Sequence, residues 1–409
     1  MEAGRRGRVR GALGEQHPLG GFTDQLGVVA INPYKLQIRL QRPVPYFLSL
    51  LTHPSTFPVH RGSIEQHGDA YSHPGNLVSS GAYKLHAWEV GSYIELVRNE
   101  HYWDNTHTAI DRVRFYVIPQ PMTELNRYRA GELDITQSIP TAAFAQMLKE
   151  RPDEVRTSPS LGVYYYGFNL SNPKFSRNSK LRQALSLAID REAIATNVVG
   201  RGESPAYSWV PEGVAGYQPR RLSYTSMTQV ERNEKARQLY RAAGFGPNKP
   251  FKLEVRYNTS NAQQRIALAV QSMWLEALGV EVTLVNEDLR VMLANIGQKV
   301  GVDVFRLSWS GDYNDAHAFL SILESGNPSN LVGYQNPHYD SLMDRAAEQI
   351  DFKRREIILG EAESVMLADH PVIPIYFHVN KSMVSQRVEG WGDNVLNYHY
   401  SQQLSLSGQ

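Results

Sequence analysis

From about residue 160 to residue 377 the apolar side chains switch repeatedly between two periods, and this alternation limits the chain to a few architectures. Leu181, Leu185, Ala188 and Ile189 share one face of a helix that Asn178 or Ser179 can cap. Ile266, Val270, Met273, Trp274 and Ala277 repeat at helical spacing from about Asn261, as a packed core face does. Strands are predicted between these helices over 251–257, 280–285 and 303–309. A long helical stretch over 339–368 precedes the short apolar run Pro371-Val-Ile-Pro-Ile-Tyr-Phe377, which suits a buried return strand. Gly244, Gly246 and Gly279 read as helix C-caps. Strand and helix in alternation predict an α/β fold, a parallel or mixed sheet covered by helices.

Upstream the texture is strand and turn. Tyr34-Lys-Leu-Gln-Ile-Arg-Leu40 alternates as a half-buried strand does, and Pro43-Val-Pro45 stops it. Gly81-Ala-Tyr-Lys-Leu85 and Ser92-Tyr-Ile-Glu-Leu-Val97 flank Gly91 as a hairpin, and Arg112-Val-Arg-Phe-Tyr-Val-Ile118 adds a further strand. At 409 residues the chain exceeds one ordinary core, so two domains are expected. Lys and Arg number 42 against 41 Asp and Glu, a net charge of +1 that gives no reason to propose nucleic acid or a polybasic membrane contact. The absence of cysteine excludes disulfides and thiolate metal sites. Apolar runs break within about ten residues, too short for stable membrane insertion. Residues 1–22 carry Arg5, Arg6, Arg8 and Arg10 among glycines without the apolar run of a signal peptide, and read as a disordered leader or a wrongly placed start.

Five motifs then stand in one order. They are Gly81-Ala-Tyr-Lys-Leu85, Arg98-Asn-Glu-His-Tyr-Trp-Asp-Asn105, Asn126-Arg-Tyr-Arg-Ala-Gly-Glu-Leu-Asp134, Leu181-Arg-Gln-Ala-Leu185 with Ala188-Ile-Asp-Arg191, and Ser308-Trp-Ser-Gly-Asp-Tyr-Asn314. In that order they resemble the bacterial oligopeptide-binding proteins, the extracytoplasmic receptors of peptide ABC importers, over about residues 23–400. The resemblance implies a two-lobe periplasmic-binding-protein-like fold of type II, lacking the N-terminal part of lobe one and most of the domain inserted in it. Residues 23–78 would be the remnant of the inserted domain, 79–163 with 381–409 lobe one, and 164–380 lobe two. Tyr164-Tyr-Tyr-Gly-Phe168 and Tyr376-Phe-His-Val379 would be the hinge strands. The implied function is capture of oligopeptides between the lobes and delivery to an ABC permease with its ATPase subunits. The receptor would be a monomer in the periplasm or cell envelope with no cofactor, and binding by this shortened form would be impaired.

Peptide capture needs particular chemistry. A free ammonium in a water-poor cleft requires a carboxylate partner. Asp312, in Trp309-Ser-Gly-Asp312, matches the family position that holds the ligand ammonium; read from the residues alone it either does this or caps a helix beginning near Asp315. Ligand main chain is recognised as an added strand, for which Ser308 and Trp309 with Tyr164, Tyr165 and Tyr166 are the expected partners, and Gly311 is expected among the peptide-binding residues. Trp309 supplies an apolar wall or packs in the core. Arg306 matches a family position available to a ligand carboxylate, or serves as a strand ion-pair residue.

Departures from the family pattern bear on side-chain preference. Leu289 stands where relatives place a tryptophan, Gln263 where they place a pocket histidine, Val199 where a basic residue is expected, and Gly162 and Ser310 where some members carry a cysteine pair. A catalytic reading would use Asp312, Asp315 and His317 as a metal cluster or Asp312 with Glu324 as paired carboxylates, but neither spacing matches such a motif. The expectation is therefore a binding protein and no enzyme. Receptors of the same fold for murein tripeptide, dipeptide, nickel or haem are the nearer rivals, and a chaperone-like peptide-interacting protein is a third reading.

Overall fold

The structure is a computed structural model that describes residues 27–299 and 301–408. The leader 1–22 and the first residues of the segment 23–78 lie outside the described residues. In chain order the strands are β1 (Val28–Asn32), β2 (Lys35–Ile38), β3 (Tyr83–Glu89), β4 (Tyr93–Arg98), β5 (Arg112–Tyr116), β6 (Val155–Phe168), β7 (Ser204–Pro205), β8 (Lys252–Asn258), β9 (Glu281–Glu287), β10 (Val304–Ser310), β11 (Val372–Met383), β12 (Val388–Glu389) and β13 (Ser405–Leu406). They fall into two compact units. One comprises Val163–Arg191 and Ala206–Tyr376 with the segment ending at Leu50; the other comprises Leu51–Gly162, Glu192–Pro205 and Phe377–Gln409.

The first unit is built on a sheet ordered β11-β6-β10-β8-β9. In β8, Leu253, Val255 and Tyr257 are buried and alternate with Lys252, Glu254 and Arg256, the period of two that a packed sheet face requires. β8 runs parallel to β9 and to β10, pairing Val255 with Leu284 and Val304 with Val255. The helix Asn261–Leu278 supplies the crossover from β8 to β9. It ends at Gly279 (φ 71°), and the Trp274 indole donates to Leu185 O at 2.8 Å from within its buried stripe. Asn178 caps the helix Ser179–Leu187 by accepting from Leu181 N. The buried guanidinium of Arg191 donates to Ala206 O, Pro374 O and Ser186 O, and Arg182 donates to Asp369 O and His370 O. The motif around residues 181–191 is thus a device that ties main chain together.

The structure departs from three expectations. The stretch 339–368 is two helices, Pro337–Glu348 and Phe352–Asp369, because Asp351 takes an extended conformation and caps the second by accepting from Arg354 N. The segment 34–40 is half of a hairpin: Tyr34 sits in the turn between β1 and β2, fully exposed. Gly246 forms a bridge with Lys249 and caps nothing, while Gly244 has the positive φ of a cap.

The second unit contains the antiparallel sheet β3-β4-β5 with Gly91 (φ 78°) at its first turn. Asn99 holds the following turn by donating to Ser79 O and Gly81 O. A separate core gathers Leu125, Tyr128, Ile139, Ala143, Phe144, Met147, Val155 and Met383 beneath the helices Pro121–Arg129 and Thr141–Glu150. β6 and β11 each run on through the chain from one unit into the other.

Candidate functional site

β10 lies between β6 and β8, and its carboxyl end carries the residues singled out in the sequence. Val304, Phe305 and Leu307 bury their side chains, whereas Arg306, Ser308 and Trp309 are half-buried. The Trp309 indole N–H donates to Ala318 O at 2.7 Å, which fixes the ring against the helix His317–Leu320. Arg306 lies over the Tyr164 ring, 4.7 Å from its centroid, and donates to Asn258 Oδ1 at 2.9 Å and to Ser308 Oγ at 3.0 Å. Its Nε is buried without a hydrogen-bond partner among the described residues. Among the described residues the hydrogen-bond partners of Arg306 are neutral groups, and no carboxylate pairs with this cation.

The turn after β10 holds two aspartates in different surroundings. Asp315 Oδ1 accepts from His317 N at 2.8 Å, and both its oxygens bind Arg355 at 2.7 and 2.8 Å in a buried two-point pair. Asp312 is exposed, and its carboxylate makes no hydrogen bond or ion pair among the described residues. The helix-capping alternative for Asp312 is therefore corrected: Asp315 occupies the N-terminal turn, and Asp312 stays available. Gly311 packs so tightly that a Cβ there would meet Phe319 Cε2 at 2.9 Å.

The turn is braced from behind. His317 Nδ1 bonds Tyr313 Oη at 2.9 Å and its Nε2 bonds Tyr46 Oη at 3.2 Å, while the Tyr46 ring stacks on His317 at 4.4 Å and on Tyr313 at 5.3 Å. Burial pushes the His317 imidazole down to about 4; Asp315 works against that, and Arg355 and Arg42 add to it. Burial likewise raises the Tyr46 phenol to about 12. The bracing residues Tyr46 and Arg355 were missed in the sequence. Tyr46 lies 271 positions from His317, and no local pattern carries a contact of that separation.

Tyr164, Tyr165 and Tyr166 are placed otherwise than expected. They are buried in β6, which is flanked by β11 and β10, so their strand does not offer an edge for a peptide to join. Tyr164 stacks on Tyr376 at 4.6 Å and donates to Gln263 Oε1, and Tyr165 meets Trp209 edge-on at 4.9 Å. Gln263 therefore anchors the tyrosine beneath Arg306. The metal reading fails on the same geometry: Asp315 is held by Arg355 and His317 by two phenols, and among the described residues no three His, Cys, Asp or Glu side chains converge as a metal set.

Residues 8–330 match the model of the bacterial extracellular solute-binding proteins, family 5, middle. The chain belongs to that family. It is 38% identical over 373 residues to the periplasmic murein peptide-binding protein MppA of Escherichia coli, covering 91% of this chain and 68% of that one. It is 37% identical over 383 residues to the periplasmic oligopeptide-binding protein OppA of the same organism, covering 93% and 70%. The solved unliganded open form of MppA superposes with a TM-score of 0.83 at 37% identity, over 94% of this chain and 75% of that one. The two-lobe type II fold expected from the motifs is thus the fold of the family, and no helix among the described residues is long and apolar enough to cross a membrane.

Proposed function

We propose that this protein is the substrate-binding component of an ABC importer, that it captures oligopeptides in the periplasm or cell envelope, and that it passes them unaltered to a membrane permease. The observation that carries this reading is Asp312: an exposed carboxylate without a partner among the described residues, three residues past a half-buried tryptophan whose N–H is already satisfied. A peptide ammonium supplies the counter-charge to Asp312, and the apolar body of Trp309 suits the adjoining side chain. Arg306, partnered by neutral groups alone among the described residues, suits an acidic side chain or a ligand carboxylate. Gly311 and Ser308 shape and support the turn. The tyrosines of β6 act through packing.

Calorimetry tests the assignment with free tri- and tetrapeptides, the murein tripeptide, and the same peptides acetylated at the amino terminus. Free peptides are expected to bind and to be recovered uncleaved by mass spectrometry. Acetylation, or Asp312→Asn, is expected to weaken binding by at least about tenfold, ~1.4 kcal/mol. Equal affinity for free and acetylated peptides would sink the role of Asp312. Absence of any binding would sink capture by this 409-residue chain.

A further inference from the structure

Between β7 and the helix Gln229–Ala242 the chain runs without regular secondary structure, so its main-chain N–H groups need acceptors outside any ladder. Glu363, fully buried on the helix Phe352–Asp369, supplies them for three of these groups. Its Oε1 accepts from Trp209 N at 2.9 Å and Val210 N at 2.8 Å, and its Oε2 from Tyr217 Oη at 2.6 Å and Arg220 N at 2.7 Å. None of these four donors carries a charge: three main-chain amides and a phenol, drawn from the two ends of loop 209–220, satisfy the carboxylate. Loop and helix lie close, for a Cβ on Gly360, one turn earlier in the helix, would collide with the Arg220 guanidinium. Burial raises the Glu363 carboxyl to about 7, with the four hydrogen bonds opposing it, so above neutral pH the clasp holds a carboxylate.

The same loop is bonded to the turn after β10. Ala215 N, midway along it, donates to Asn314 Oδ1 at 2.8 Å, and the Trp209 indole N–H donates to Phe319 O at 2.7 Å. Asn314 stands between Asp312 and Asp315, two residues from the carboxylate assigned to the ligand. One buried side chain thus fixes the loop at both ends, and the loop in turn holds the residue beside the site. We propose that Glu363 is a positioning residue for ligand capture: by clasping residues 209–220 it keeps Ala215 against Asn314 and so fixes the turn that presents Asp312 to a peptide ammonium. Being fully buried, it acts through the loop and needs no contact with the ligand.

This role rests on peptide capture by the turn, so one arm of the test uses no peptide. Amide exchange of the full chain is followed by mass spectrometry at pH 8 in wild type and Glu363→Gln, whose amide group puts a donor where an acceptor is needed. Exchange is expected to accelerate at least about tenfold in residues 209–220 and 311–316 and to stay unchanged in 261–278. Acceleration confined to 209–220, or spread evenly through all three segments, overturns the role. In the second arm calorimetry measures binding of free tri- and tetrapeptides at the same pH. Glu363→Gln and Asn314→Ala are each expected to weaken binding about tenfold, and the double variant no further, because both break one line of contacts. Undiminished binding by Glu363→Gln, or losses that multiply, overturns the role as well. Should wild type bind no peptide, capture fails as the function, and the exchange arm alone decides whether Glu363 positions the turn. Should Glu363→Gln fail to fold, Tyr217→Phe removes one donor of the four and is expected to give the same exchange pattern at about threefold. Wild-type exchange in 311–316 of that variant overturns the role.

Discussion

Asp312 and Asp315 belong to one short turn, yet one is an exposed carboxylate without a partner among the described residues and the other is locked in a buried ion pair. Residue type does not separate them; surroundings do. Asp315 depends on Arg355, so Arg355→Met leaves a buried carboxylate unbalanced and is expected to cost about 3–5 kcal/mol in denaturant unfolding. His317, whose main-chain N–H Asp315 accepts, is held neutral by burial. Its ordinary value of 6.5 falls to about 4 in the folded protein. Between those values the unfolded chain takes up a proton that the folded chain refuses, so this histidine's contribution is intact above about pH 6.5 and is lost as pH falls toward 4. Asp315, Arg355 and Arg42 face the ring, and Glu324 Oε1 lies 3.9 Å from its Nε2. The stability advantage of wild type over His317→Gln is expected to shrink between pH 7 and pH 4.5 in urea titrations; a constant gap would show that His317 titrates normally. Gly311→Ala is a steric case. Its Cβ would press on Phe319, which is fully buried, and the expected loss is ~1–3 kcal/mol.

At the scale of elements, much was legible. The helix from Asn261 and its stop at Gly279 followed from apolar period and cap chemistry, and the strand after Phe251 from alternation, because both signals are local. The break at Asp351 was local too but ambiguous, since an aspartate inside a helical pattern either caps or faces solvent. Asp351→Ala is expected to cost about 1 kcal/mol, with amide exchange rising first in residues 352–355. The site was half legible. Trp309 and Asp312 come from one contiguous motif, whereas the brace of Tyr46 and Arg355 is assembled by the fold. The triple tyrosine of β6 misled because aromatic strands line cores as readily as clefts; the strand order, which the sequence does not state, decides between the two.

For the whole molecule, the division into two units gives each its own apolar core, and perturbing one core is a test of how far they fold separately. Met147 is fully buried among Leu125, Tyr128 and Phe144 in the second unit. Truncation to alanine removes buried methylenes and leaves a cavity, at a cost of about 2–5 kcal/mol. β6 and β11 contribute to both units through chain continuity, which argues for coupling; the separate cores argue against it. Contacts across a single buried core set the size of a cooperative unit, and distant sites with no shared partners add independently. Hydrogen exchange of Met147→Ala read by mass spectrometry is therefore expected to accelerate segments 121–150 strongly and segments 261–296 little. An equal acceleration in both would mean that the shared strands bind the two cores into one unfolding unit.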